Sequence, residues 1–118
     1  MANLPDSRPT VVYVCHRFAS DPQHHCEAVK RVCRALVSNG CVPLAPQLLL
    51  PQFMDEDTER DLAIRFCLRL VAVCDKVRVF GEPSAGMRLE IAEAQRLGIP
   101  VVDERTGERL GPKGEPPR

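Results

Sequence analysis

The sequence predicts a three-layer α/β sandwich on a four- or five-stranded parallel sheet. Three observations carry this. Short β-prone runs alternate with longer segments of helical apolar spacing, in the order β-α-β-α-β-α-β. Such alternation specifies a parallel sheet with helices on both faces. The first run, VVYVC at residues 11–15, is apolar throughout, as a strand buried on both faces requires. Glycine follows two of the helical segments, at Gly40 and Gly98, where a left-handed stop is needed.

The elements follow in order. After the first strand, Asp21-Pro22 offers an N-cap and a proline at the first helical position. Cys26, Val29, Cys33, Leu36 and Val37 recur at helical spacing. Residues 41–45 (CVPLA) read as a second strand, placed at an edge by Pro43. Residues 46–54 (PQLLLPQFM) read as an apolar loop of the kind that lines pockets. Thr58 and Asp61 resemble a capping box. The helix beyond carries Leu62, Phe66, Leu70 and Val73 on one stripe, which predicts heavy burial. Residues 77–80 form a third strand, 84–97 a helix and 99–102 a fourth strand. The first, third and fourth strands are the central ones. The whole is flavodoxin-like, or Rossmann-like, in the broad sense. Residues 1–9 read as a flexible lead and 10–103 as the domain. Residues 104–118, charged and rich in glycine and proline, read as a disordered tail.

With 118 residues, 44% of them hydrophobic, the chain fits one domain with one core. Sixteen basic residues balance sixteen acidic ones, which argues against an electrostatic binder of nucleic-acid polymers or membranes. No apolar run approaches the roughly 20 residues of a membrane span, and the first residues resemble no targeting segment. A cytoplasmic setting is expected. The six cysteines, at 15, 26, 33, 41, 67 and 74, form no C-x-x-C pair and mostly fall in apolar periodic segments. They read as buried thiols, without disulfides or zinc. Adjacent helical positions diverge by about 100°, so His24, His25 and Cys26 do not converge on one metal ion. The acidic run at Asp55, Glu56 and Asp57 suits a helix start. Arg31 with Arg34, and Arg65 with Arg69, read as solvated helix faces.

Ligands of such sheets bind beyond the carboxyl ends of the strands. Three segments lie there: 15–21, 45–53 and 81–86. In the last, Ser84 is a plausible N-cap, followed by the Gly86 and Met87 amides, a ready anion site. Residue 90 leans over residue 86, so the glycine leaves open space beside the Glu90 carboxylate.

Ser84-Ala85-Gly86-Met87-Arg88-Leu89-Glu90 resembles the Ser-x-Gly-x-x-x-Glu segment of the 2′-deoxynucleoside 5′-monophosphate N-glycosidases, relatives of the nucleoside 2-deoxyribosyltransferases. The segments "VYVCHRF", "GCVPLAPQLLLPQFM", "CDKVRVFG", "SAGMRLEI" and "GIPV" are similar to an uncharacterised bacterial and phage branch of that superfamily. The resemblance spans about residues 11–102. It implies that Glu90 attacks C1′ of a deoxyribose and that Tyr13 orients it. It also implies that Ser84 and the Gly86 and Met87 amides hold a 5′-phosphate, and that Asp75 is structural. Two departures stand out. The acid of catalytic members, eight residues before Asp75, is here Cys67. The glycine-rich turn after the first strand is here His16-Arg17-Phe18-Ala19-Ser20, in which Arg17 could supply the charge. His16 joins the candidate ligand contacts, as does Gln47, which stands where the branch has histidine and could meet a base edge. The expected activity is cleavage or transfer of the N-glycosidic bond of a 2′-deoxynucleotide, without cofactor or metal, by a homodimer. The alternatives are a non-catalytic nucleotide-binding module and a ligand-free interaction module.

Overall fold

A computed structural model describes residues 8–17, 22–55 and 57–111. The expected cap at Asp21 and residues 1–7 of the expected flexible lead (1–9) lie outside them. The elements are β1 (Val11–His16), α1 (Pro22–Ser38), β2 (Val42–Leu44), α2 (Pro46–Leu49), a 3-10 turn (Leu50–Gln52), α3 (Arg60–Val71), β3 (Lys76–Phe80), α4 (Ala85–Arg96), β4 (Val101–Asp103) and β5 (Arg109–Leu110).

The five strands form one sheet in the order β2-β1-β3-β4-β5. The first four are parallel, with Tyr13 opposite Leu44 on one side and Val77 on the other. The chain moves outward from β1 to β2, then returns to lay β3 on the other flank of β1. That reversal opens a crevice at the carboxyl ends of β1 and β3. Pro43 sits in the edge strand, where a missing ladder donor is tolerated. Asp75, ahead of β3, accepts from the Val11 amide at 2.8 Å and ties the starts of the two central strands together.

Period-two alternation splits the core between the two faces. Tyr13, Cys15, Val77, Val79 and Val101 pack with Val71 of α3 and with Met87, Ile91 and Ala94 of α4. Val12 and Val14 pack against Val29 and Leu36 of α1. Each fully buried valine contributes roughly 1.5 kcal/mol or more, so aliphatic side chains suffice in a chain without tryptophan. All six cysteines are free thiols. Among the described residues no helix is long and apolar enough to cross a membrane.

Four expectations change. Residues 46–52 are not a loop: Pro46 starts α2 at a position where its missing N–H is no loss, and the 3-10 turn follows. The Thr58–Asp61 capping box does not form. Instead α3 starts at Arg60 without a side-chain cap, and Asp55 accepts from the Asp57 and Thr58 amides at 2.8 and 3.3 Å. Of the predicted stripe Leu70 packs on the core, while Leu62 is 37%, Phe66 43% and Val73 58% exposed. Ala63, Ile64 and Cys67, half-buried, line a cleft, with exposed Arg60 at its edge. Finally, the expected tail contributes a strand over part of its length. β5 pairs antiparallel with β4, Val101 opposite Leu110. Its turn uses Gly107 at φ 74°, a conformation glycine adopts at little cost. Buried Asp103 accepts from the Arg105 guanidinium at 3.0 and 3.3 Å. Residues 112–118 lie outside the described residues.

Candidate functional site

Helices α3 and α4 both start at the carboxyl end of the sheet and cover the same face. Between them and α2 lies a cleft whose floor is a cluster around one carboxylate. β1 alternation aims Tyr13 and Cys15 at this face. Helical spacing turns Glu90 from α4 and Cys67 from α3 toward the same point.

The Tyr13 hydroxyl donates to Glu90 Oε2. The Cys15 thiol donates to Glu90 Oε1 at 3.4 Å. The Cys67 thiol is a third hydrogen-bonding neighbour, coupled to both Glu90 and Tyr13. Burial raises the Glu90 carboxyl above the ordinary glutamate value, and the three donors pull it back. Burial also raises the Tyr13 hydroxyl, with the Glu90 charge adding to it. Cys15 is raised by burial first and by Glu90 second. The two groups nearest the carboxylate therefore hold their protons and donate them. A carboxylate ringed by such donors stays available as a base or nucleophile.

Ser84 caps α4, accepting from the Met87 amide at 3.3 Å. The Ala85 and Gly86 amides meet no acceptor among the described residues. A Cβ built on Gly86 would meet nothing within 4 Å, so the space above Glu90 is open. Pro46, Leu50 and Met54 make an apolar wall opposite.

Residues 10–104 match the family described as "Domain of unknown function (DUF7768)". The chain belongs to this family. The matched span includes every side chain of the carboxylate cluster and both walls of the cleft, and it ends before β5. No curated protein matches the chain.

Glu90, His16, Ser84, Gly86, Met87 and Gln47 all line the cleft, and Tyr13 joins them through its bond to Glu90. Two of the sequence candidates take other roles. Arg17 lies outside the lining: its Nε donates to the Glu82 carbonyl at 3.1 Å, bracing the turn before α4. Gln47 uses its amide nitrogen on the Val14 and His16 carbonyls, at 3.1 and 3.0 Å. It thus clamps α2 to the end of β1, and its buried Oε1 has no partner among the described residues. His16 Nδ1 lies 2.7 Å from the Arg17 carbonyl. A carbonyl only accepts, so Nδ1 carries the proton and Nε2 is left for a ligand. Sequence reasoning missed Arg60, a cation on the cleft wall. Its signal was the i, i+3, i+4, i+7 spacing from Arg60 to Cys67.

Proposed function

We propose that the chain cleaves or transfers the N-glycosidic bond of a 2′-deoxynucleoside 5′-monophosphate, with Glu90 as nucleophile. The observation that supports this is the Tyr13–Glu90 pair: a half-buried carboxylate, oriented by a phenol, opening into a cleft at the sheet's topological switch point. In this reading a Glu90 oxygen bonds to C1′ while the C1′–N bond breaks. Its electron pair leaves with the base, which takes up a proton. Water, or a second base, then attacks C1′ and releases the carboxylate. The resemblance of the Ser84–Glu90 motif to the deoxynucleotide N-glycosidases supports the same reading. So does Ser84, which caps a helix start open to the same cleft as Glu90.

The test is chromatography for free base from each 2′-deoxynucleoside 5′-monophosphate. Glu90→Gln keeps the shape and removes the nucleophile. Base release should fall by about a hundredfold or more, some 3 kcal/mol of barrier, while nucleotide binding survives. Equal release by both proteins refutes the assignment.

One observation favours a second reading, a nucleotide-binding module without catalysis. Cys67 occupies the position where the resemblance expects a carboxylic acid for the departing base, and a thiol is a weaker proton donor. Wild type that binds nucleotide and releases no base would select this reading. Base release gained by Cys67→Asp would mark the module as a degenerate enzyme. A homodimer belongs to both readings and is supported by the outward stripe of Leu62, Phe66 and Val73 with Leu89 on α4, all more than a third exposed.

A further inference from the structure

Three cations near the carboxyl end of the sheet are committed to the fold. Arg17 donates to the Glu82 carbonyl. Arg105 pairs with Asp103 and Glu82. Arg78 pairs with Glu104 at 3.7 Å. Arg60 has no hydrogen bond or ion pair among the described residues, and it lines the cleft that holds Glu90.

It is exposed at the edge of the cleft. Arg60 is the first residue of α3, where the helix dipole opposes a cation. Its acidic neighbours Asp55, Asp57, Glu59 and Asp61 do not line the cleft. Across the cleft, Gly86 and Ser84 present the open start of α4. The Ala85 and Gly86 N–H groups are unmatched among the described residues, and the Ser84 hydroxyl, accepting from Met87, keeps its own proton to donate. Arg60 and this helix start line the same cavity, so an anion bound there has both a guanidinium and N–H donors to draw on. A phosphate has the charge and the oxygens for this, and a guanidinium fork engages two of them.

We propose that Arg60 is the phosphate-binding residue of this cleft and that it selects 5′-phosphorylated ligands over free nucleosides. This rests on the nucleotide reading above and transfers to Arg60 the charge role that the sequence suggested for Arg17. With Glu90 at the floor and Arg60 at the mouth, the ligand's electrophilic carbon goes inward and its anion outward.

The test is calorimetric titration of the full chain with 2′-deoxynucleoside 5′-monophosphates, the matching deoxynucleosides and inorganic phosphate. Wild type, Arg60→Gln, Arg60→Lys and Arg17→Gln are compared, each checked for an unchanged melting temperature. Arg60→Gln should weaken monophosphate binding by about tenfold or more. Nucleoside affinity should be unmoved, Arg60→Lys should recover part of the loss, and Arg17→Gln should leave the preference intact. Monophosphate binding that Arg60→Gln does not weaken overturns the proposal and leaves the nucleotide reading standing. Inorganic phosphate bound through Arg60, with no nucleotide bound, supports the anion site and sinks the nucleotide reading. If wild type binds none of the three, both fall.

Discussion

Tyr13→Phe isolates the bond on which the site reading depends. The ring is fully buried between β1 neighbours and the α3–α4 face, so phenylalanine fills the same space and leaves no cavity. What disappears is a donor to a half-buried carboxylate. A hydrogen bond to a charged group is worth about 1.5–3 kcal/mol, offset by freeing the hydroxyl from its own desolvation. A net loss of about 1–2 kcal/mol follows, roughly 5–10 °C in melting temperature for a chain this size. The loss should depend on pH. The Tyr13 bond lowers the Glu90 carboxyl and burial raises it, with burial the larger influence. The variant therefore holds the folded-state value higher than wild type does. The stabilisation that Tyr13 gives the charged form is complete where Glu90 is ionised. It is lost as pH falls through the folded-state range of Glu90, leaving only a neutral bond. Thermal unfolding of both proteins from pH 8 down into the acid range measures this. A difference below about 0.5 kcal/mol at pH 8, or one that does not shrink anywhere as pH falls, would refute the claim that Tyr13 supports a half-buried Glu90 charge.

Two predictions concern the surroundings. Gly86→Ala adds a methyl that meets no neighbour and should stabilise α4 by up to about 1 kcal/mol, while crowding the space above Glu90 and weakening ligand binding. A melting temperature that falls would show that the glycine is needed for the fold itself. Ending the chain after Asp103 removes β5 and Arg105, so a buried carboxylate loses its guanidinium. The expected loss is about 2–4 kcal/mol, from that carboxylate and the partly buried Leu110. Unchanged unfolding would return residues 104–111 to the status of a tail.

The sheet was legible because its signals are local. The unbroken run at residues 11–15, the proline in the edge strand and the glycine stops each follow from backbone chemistry within a few residues. The α4 cap and the open face above Glu90 were legible for the same reason. The errors came where tertiary context decides. Leu62, Phe66 and Val73 form an apolar stripe, and periodicity alone does not say that the more polar stripe beside it, Arg60 to Cys67, is the one that lines a cleft. Arg17 was assigned to a ligand because a cation after β1 is near the crevice in sequence, yet a backbone carbonyl of the β3–α4 turn takes its Nε. Composition misjudged residues 104–111, because Arg105 and Asp103 satisfy each other in place and their charges are not solvated singly.

Glu90 is a residue that the fold does not need for packing. α4 packs with Met87, Ile91 and Ala94, and a fourth apolar residue at position 90 would extend that face with no polar group to satisfy. Glutamate there puts a carboxyl beside two thiols and a phenol in a place where burial opposes its charge. Three donors from two separate elements, β1 at two positions and α3 at one, are then required to hold it. Such an arrangement is locally inconsistent with core packing and consistent across elements, and a cleft opens onto it. Protein folds tolerate inconsistency of this kind mainly at functional sites. Arg60, exposed at the cleft edge and without a partner among the described residues, adds a cation at a helix start. The two misplaced charges have opposite signs and share one cavity. A ligand that carries an anion at one end and an electrophilic carbon at the other resolves both.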